Sequence, residues 1–580
     1  MIGLVAVTAS GRAASAALAA AWGEQEVRVY GGGGNGSGVA GLSAGAALRA
    51  AYAECDAVVA FLAVGATARV LAAALRDKHE DPAVVCVDES RRFAVAVLGG
   101  HHGANELARR VAGVLDCTPV ITTASDASGV TPLDSFGTDL GFVLENPQRL
   151  AAVGARVLSG EQVTVFGAEH WPLPALPPNV RPTQNPADAD IVICDELVEV
   201  SDAALVYRPP SLVVGVGASR GVNAQEIVDT IDAALAAGGL SARSVLQLAS
   251  VDLKADEAGL LEAARSRGWP VIFHAAADLA PVEVPNPSPV VKAETGTASV
   301  AEAAARYAGP TRPLAGLVVP KVKSPMATAA VARVPARGRL AVVGLGPGAR
   351  DLLAPRAVAE LRRASVVVGL DQYVEQIRDL LRPGTQIRAT GLGAEEERAR
   401  SAVELARTGL AVALIGSGDA GVYAMASPAL DHADGDDVDV VCVPGITAAA
   451  AASNVLGAAL GHDHASISLS DLHTQWEAIE RRVRAAAEGD FVVSFYNPRS
   501  RQRDWQLGKA LGILAQHRSA STPVGWVRNA SRSDETWGLT TLEAFDPAVV
   551  DMYTVVTVGC SQSRIVGGRF VTPRGYTWAR

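Results

Sequence analysis

Short aliphatic runs alternating with amphipathic stretches set the tightest limit on how this chain can fold. Near the N-terminus the runs are LVAV at 4–7, DAVVAFLAV at 56–64, AVVCVD at 83–88, FAVAVL at 93–98 and PVITT at 119–123. Each is too short to be a helix and is followed by a turn and a helix-period segment. The pattern therefore predicts α/β layers around a largely parallel sheet. It fades over 135–210, where HWPLPALPPNVRPTQNP at 170–186 is proline-rich, and returns at SLVVGVGASRG from 211 to 221.

Length and punctuation then divide the chain. At ~150 residues per domain, 580 residues predict about four folding units. The expected segments are an α/β domain at 1–134, a connecting module at 135–210 and a second α/β domain at 211–333. A linker, VPARGR, covers 334–339, and a two-lobed α/β region follows at 340–580, with lobes of about 340–442 and 443–580.

Hydrophobic types make up 49% of residues and charged types 19%, which excludes a disordered chain. Aromatics are only 5%, while glycine numbers 57, so alanine, aliphatics and tight turns must do the packing. The net charge of −10 disfavours nucleic acid and anionic membranes as partners, so any anion site must be local. The cysteines Cys55, Cys86, Cys117, Cys194, Cys442 and Cys560 show no CxxC pair and no metal-ligand spacing. No bound metal and a reducing, cytoplasmic setting are expected. The opening MIGLVAVTASGR reads as a first strand rather than a signal peptide. Of two uncharged runs, 29–48 is too glycine-rich for a spanning helix, and Pro444-Gly445 splits 440–461 into a strand and a helix.

In the second half, GLGPG at 344–348 lies between a strand and a helix. As a dinucleotide fingerprint it fails on three counts: Pro347 replaces an amide, the third glycine comes early, and no acidic residue follows at the required distance. A tight structural turn is the other reading. Four more strand ends follow: SGDAGVY at 417–423, VPGITAAAAA at 443–452, FYNPRSRQR at 495–503 and VRNASR at 527–532. Five such turns at the carboxyl edges of two sheets would form a binding crevice.

These motifs, together with GLGPGARDLLAPRA, VVGLDQYV at 367–374, LGHDHASISLSDLHTQWEAIERR at 460–482 and VTPRGY at 571–576, resemble the tetrapyrrole methylases. Within that family they are similar to the precorrin-3B C17-methyltransferases of cobalamin biosynthesis. The resemblance implies two α/β lobes, a homodimer, and S-adenosylmethionine folded between the lobes. By position it assigns the donor to Pro347, Ser417, Gly418, Asp419, Val422, Tyr423, Thr447, Ala448, Asn497 and Ala530, with Thr540 near the adenine. Such small residues and backbone amides suit a neutral nucleoside and a sulfonium better than a phosphate.

The chemistry implied is methyl transfer with ring contraction, which also needs proton movement. Asp371, Asp471 and His462 are candidates for it, with helix capping as the alternative role. A corrinoid substrate carries many carboxylates, for which Arg499, Arg501, Arg503, Arg528 and Arg532 offer fork-shaped donors. A solvated charged face is the other reading of these arginines. Ala354 departs from the family's LTPRA and removes a capping hydroxyl.

In the first half, LGGHHGANELAR at 98–109 places His101 and His102 at a strand end before a helix, as a general acid–base pair or a hydrogen-bonded turn. The block order GHHGAN, TTASD, GVGASRGV, DLKADE, PNPS and KSP resembles the CbiG family, the cobalt-precorrin-5A hydrolases. This implies opening of a δ-lactone with loss of acetaldehyde. On chemistry, His101 or His102 would activate water, and Lys254, Lys321 and Lys323 would hold substrate carboxylates. The family's second glycine before Ala104 is missing here.

The expectation is thus a bifunctional cobalamin-pathway enzyme. Two alternatives stay open: a noncatalytic corrinoid-binding first half, or a methylase acting on another tetrapyrrole. The sequence does not decide whether the substrate carries cobalt.

Overall fold

The computed structural model describes residues 1–575 apart from 24, 32–37, 40–41, 77–80, 101–102, 123–127, 308, 310–313, 392, 434–436 and 501–502. Two compact units are present. One comprises Met1–Ala168, Leu176–Pro335 and Arg382–Gly384; the other comprises Glu169–Ala175, Ala336–Leu381 and Thr385–Arg580.

The first unit contains three sheets. The first runs Gly38–Val39, Val27–Tyr30, Ile2–Val5, Ala57–Ala60, Ala83–Val87, Phe93–Leu98, Thr118–Val120. It is parallel except where Phe93–Leu98 turns against Ala83–Val87. Leu4, Val59 and Val85 face one apolar cluster, and Val5, Val58 and Val84 face another. Burial on both faces explains why these strands read as continuous aliphatic runs rather than alternating ones.

The 135–210 segment is more than a connector, because it builds a five-stranded sheet of its own. The order is Val180–Pro182, Val163–Phe166, Ile191–Ile193, Leu205–Arg208, Val143–Leu144. Strands of two to four residues are too short to register a period in the sequence. Arg333 closes a two-pronged pair on buried Asp195, at 2.7 Å for each prong, which ties this sheet to the next.

The third sheet runs Val271–His274, Val245–Val251, Leu212–Ala218, Ala327–Arg333, Gly316–Lys323. Its first three strands are parallel and the last two antiparallel.

The second unit has two lobes. The first lobe's sheet is fully parallel: Gln386–Thr390, Val366–Leu370, Ala411–Gly416, Gly338–Gly344, Val438–Val443. The second lobe's sheet is mixed, with His464–Ser468 parallel to Val492–Tyr496, followed by antiparallel Thr554–Val558, Pro523–Arg528 and Thr536–Thr541. Pro444-Gly445 separates the strand Val438–Val443 from the helix Ala448–Leu456. The other uncharged run, 29–48, is only partly described. Among the described residues no helix is long and apolar enough to cross a membrane. Ala354 occupies the N-cap of helix Pro355–Arg363 and gives it no side-chain hydrogen bond.

Candidate active site

Three turns of the second unit meet backbone to backbone. Leu345, which follows strand Gly338–Gly344, donates its N–H to the Gly416 carbonyl at 2.8 Å. Gly346 and Gly418 then exchange two hydrogen bonds at 3.0 and 2.8 Å. The 443–449 turn closes on the same point. A Cβ added to Gly445 would lie 2.2 Å from the Gly418 oxygen and 2.8 Å from the Gly344 oxygen, so only glycine fits. Asp419 fastens the junction: Oδ1 accepts from Gly421 N at 2.8 Å and Oδ2 from Gly445 N at 3.1 Å.

The two remaining turns join this knot from the second lobe. The Tyr496 hydroxyl is 2.6 Å from Thr447 Oγ1 and accepts from Ala449 N at 3.0 Å. Tyr423 donates to the Ser466 carbonyl at 2.8 Å and accepts from Ser468 N at 3.2 Å, and its ring stands 5.1 Å from that of Tyr496. Asn497 donates from Nδ2 to Ser468 Oγ at 3.2 Å. Arg532 spans back to the first lobe, with Nε donating to the Pro347 carbonyl at 3.1 Å and Nη2 to Ser417 Oγ at 3.4 Å. Beside it, Ala349 N donates to Ser531 Oγ at 3.1 Å.

Of the seven described non-glycine residues with positive φ, Tyr423, Asn497, Asn529 and Ser531 lie in these turns. Unfavourable backbone held in place by several hydrogen bonds is common at functional sites. Ala448 and Ala530 pack on one apolar cluster, while Tyr423 and Ile446 remain exposed. Although the ring is exposed, partial burial of the hydroxyl between Ser466 and Ser468 pushes the Tyr423 phenol above its ordinary pKa, so it stays protonated at neutral pH.

The five turns foreseen from the sequence therefore meet. Pro347, Ser417, Gly418, Asp419, Val422, Tyr423, Thr447, Ala448, Asn497 and Ala530 all lie within them. Thr540 does not. Its neighbour Leu539 faces the cluster that holds Ala448 and Ala530, so alternation turns Thr540 to the opposite face, with its cross-strand partner Val524. His462 precedes the strand His464–Ser468 at its amino end, away from Ser468, and its ring faces Asp463 at 3.3 Å. Asp471 accepts from Gln506 at 2.8 Å. Asp371 opens helix Asp371–Ile377, exposed at the carboxyl end of strand Val366–Leu370.

The arginines separate by partner. Arg528 pairs with Asp551 at 2.8 Å and Asp534 at 3.1 Å, which takes up its charge. Arg499 donates to the Ala548 carbonyl at 3.0 Å. Burial pushes the Arg503 guanidinium down from its ordinary pKa, against the pull of Asp471. Arg532 bonds only to neutral oxygens among the described residues. Arg501 lies outside them, as do His101 and His102. Lys254, Lys321 and Lys323 come together in the first unit on the wall of one cavity of about 610 Å³. The sequence reading missed Tyr496, which is inside an apolar strand motif and gives no signal of its own, and it did not foresee the close approach at Gly445.

Comparison with known proteins accounts for both halves. The family model for Tetrapyrrole (Corrin/Porphyrin) Methylases matches residues 339–546, that for Cobalamin synthesis G C-terminus 212–332, and that for Cobalamin synthesis G N-terminal 46–126. A probable cobalt-factor III C(17)-methyltransferase of Salmonella typhimurium is 45% identical over 240 residues, 41% of this chain and 99% of that protein. A cobalt-precorrin-5A hydrolase of Priestia megaterium is 36% identical over 297 residues, 48% of this chain and 78% of that protein. The chain belongs to both families, CbiG first and tetrapyrrole methylase second. The solved structure of the methyltransferase CobJ is 38% identical to the methylase half, covering 41% of this chain and 100% of that one, with a TM-score of 0.39. All five turns lie inside the span matched by the methylase model. The lysine-lined cavity belongs to the C-terminal CbiG domain.

Proposed function

We propose that the methylase half moves a methyl group from S-adenosylmethionine to C17 of precorrin-3B, or of its cobalt counterpart, with ring contraction. The CbiG half would open the lactone of cobalt-precorrin-5A and release acetaldehyde. The observation that carries the first part is the knot of five strand-end turns at the carboxyl edges of two sheets, where open α/β folds bind ligands.

The residues fit the donor. The walls offer Gly418, Ala448 and Ala530, which allow close approach, together with the exposed Tyr423 ring and Ile446 side chain. The five turns hold arginines but no lysine, Arg528 among them is already paired with Asp551 and Asp534, and Asp419 is the acid at their junction. That set favours a neutral nucleoside bearing a cation over a phosphate. When bound, the donor supplies an electrophilic methyl group that needs alignment more than acid–base help.

The chain's own contribution is positioning. Tyr423, fixed between Ser466 and Ser468, serves as a rigid wall, and Arg532 fastens the Pro347 turn to Ser417. Its uncompensated charge makes Arg532 the better rim donor for a substrate carboxylate, since Arg528 is already paired. Asp371, at the same sheet edge, is the candidate for proton movement during ring contraction. In the first half, His101 or His102 would activate the water that attacks the lactone carbonyl. The reading implies a cytoplasmic homodimer joined through the methylase half.

The test is incubation of the full chain with S-adenosylmethionine and either metal-free precorrin-3B or the cobalt form, followed by mass and absorbance. A donor-dependent gain of one methyl group with one of them supports the reading, and its absence with both overturns it. Acetaldehyde release from cobalt-precorrin-5A tests the first half in the same way.

A further inference from the structure

The cavity of about 610 Å³ in the 212–332 domain sits where three motifs end. Strand Leu212–Ala218 delivers Ser219 and Arg220, the parallel strand Val245–Val251 delivers Lys254, and the hairpin of Gly316–Lys323 and Ala327–Arg333 delivers Lys321, Lys323 and Ser324. This is again the carboxyl edge of parallel strands.

Its charge is unbalanced. None of the three lysines has a carboxylate at ion-pair distance among the described residues; Asp256 acts on Lys254, and Glu302 on Lys321, only from farther off. Lys321 Nζ donates to the Asn286 carbonyl at 2.7 Å and reaches Ser299 Oγ at 3.5 Å, both neutral. Arg220 is already paired with Asp256. The acids Glu302 and Glu226 beside the wall are committed to hydrogen bonds of their own, from backbone N–H groups and neutral side chains. Glu302, fully buried, accepts from Asn286 N, Asn286 Nδ2 and Lys321 N at 3.1, 2.7 and 3.0 Å. Glu226 Oε1 holds Ser324 Oγ and Met326 N, each at 2.7 Å. Among the described residues Glu294 is the one carboxylate on the lining.

Three ammonium groups on a lining that sets Glu294 against them repel one another, and a bound anion would offset that cost. Burial and the neighbouring Lys323 hold the Lys321 ammonium below its ordinary pKa, while the nearby Glu302 partly supports it. Flexible point-charge donors on two separate elements, Lys254 after strand Val245–Val251 and Lys321 and Lys323 on strand Gly316–Lys323, suit several spaced carboxylates rather than one compact phosphate.

We propose that this cavity is a polycarboxylate-binding site in which Lys254, Lys321 and Lys323 each take a separate carboxylate of the ligand. It rests on the hydrolase reading only for the ligand's identity as a corrinoid. It would make the 212–332 domain the substrate-gripping part of the first half, with the GVGASRG, DLKADE, PNPS and KSP blocks as its frame.

The test titrates the full chain calorimetrically with benzenehexacarboxylate as the polycarboxylate probe, and with benzoate and inorganic phosphate as comparison. The proposal expects saturable binding of the hexacarboxylate, weakened about tenfold or more in Lys254→Gln/Lys323→Gln and largely restored in Lys254→Arg/Lys323→Arg. Equal affinity in the glutamine variant, or phosphate binding as tightly as the hexacarboxylate, overturns it. A parallel assay separates it from the hydrolase reading. Wild-type protein that releases acetaldehyde, with KM unchanged in the glutamine variant, sinks the cavity proposal alone. Wild-type protein that releases none, yet binds the probe through these lysines, sinks the hydrolase reading and leaves the cavity standing.

Discussion

Arg528 shows how one side chain's partners decide its role. Burial opposes ionisation of Asp551, but Arg528, Thr554 Oγ1 and Tyr553 N outweigh it and hold the carboxyl below its usual range. A carboxyl depressed in the folded state adds stability above its unfolded pKa, and that stability is lost as pH falls through the folded value. Arg528→Gln is therefore expected to lower Tm at neutral pH, with the gap closing on acidification below the ordinary carboxylate range, as thermal melts across pH would show. A higher substrate KM with Tm unchanged would return Arg528 to the rim. Asp419 is the converse case, an acid whose oxygens accept from the backbone N–H groups of Gly421 and Gly445. Asp419→Asn keeps one acceptor and sets an amide NH₂ against a backbone N–H, so a loss of about 2 kcal/mol is expected in urea titration. Neither pairing was legible in the sequence, because Asp551 and Gly445 lie more than twenty positions from the residues they bind.

Strands and turns were easier to foresee than side-chain partners. Runs such as LAVVGLG and VVSFY are buried and mostly apolar because both faces of their sheets are covered, and the glycine-rich ends mark where backbones cross. The sheet at 143–208 gives no sequence signal because its strands are shorter than any period, and the face on which Thr540 lies depends on pairing register with Val524, which the sequence does not show. Glycine's two uses can be tested against each other. Gly445→Ala drives a methyl into the Gly418 carbonyl and should cost about 1–3 kcal/mol and displace the turn. Gly508, inside helix Gln506–Ala515, has open space around it, so Gly508→Ala should stabilise by about 0.5–1 kcal/mol. Ala354→Ser should add about 1 kcal/mol by capping helix Pro355–Arg363. Denaturant midpoints read all three, and a neutral Gly445→Ala would contradict the close approach.

On the scale of the whole molecule, a chain of net charge −10 still places cations without an ion-pair partner among the described residues at both candidate sites, Arg532 in the methylase half and three lysines in the CbiG half. The order of motifs made both families legible, because turns that meet in space must stay in sequence order along the strands that carry them. What the order could not give is which cations are free, since that depends on acids brought in from other elements. The most direct test of the account is calorimetric titration of the full chain with S-adenosylhomocysteine, wild type beside Gly445→Ala. The account predicts saturable binding to the wild type, at one site per chain, and its loss or severe weakening in the variant. No heat with the wild type, or equal affinity in both, would contradict it.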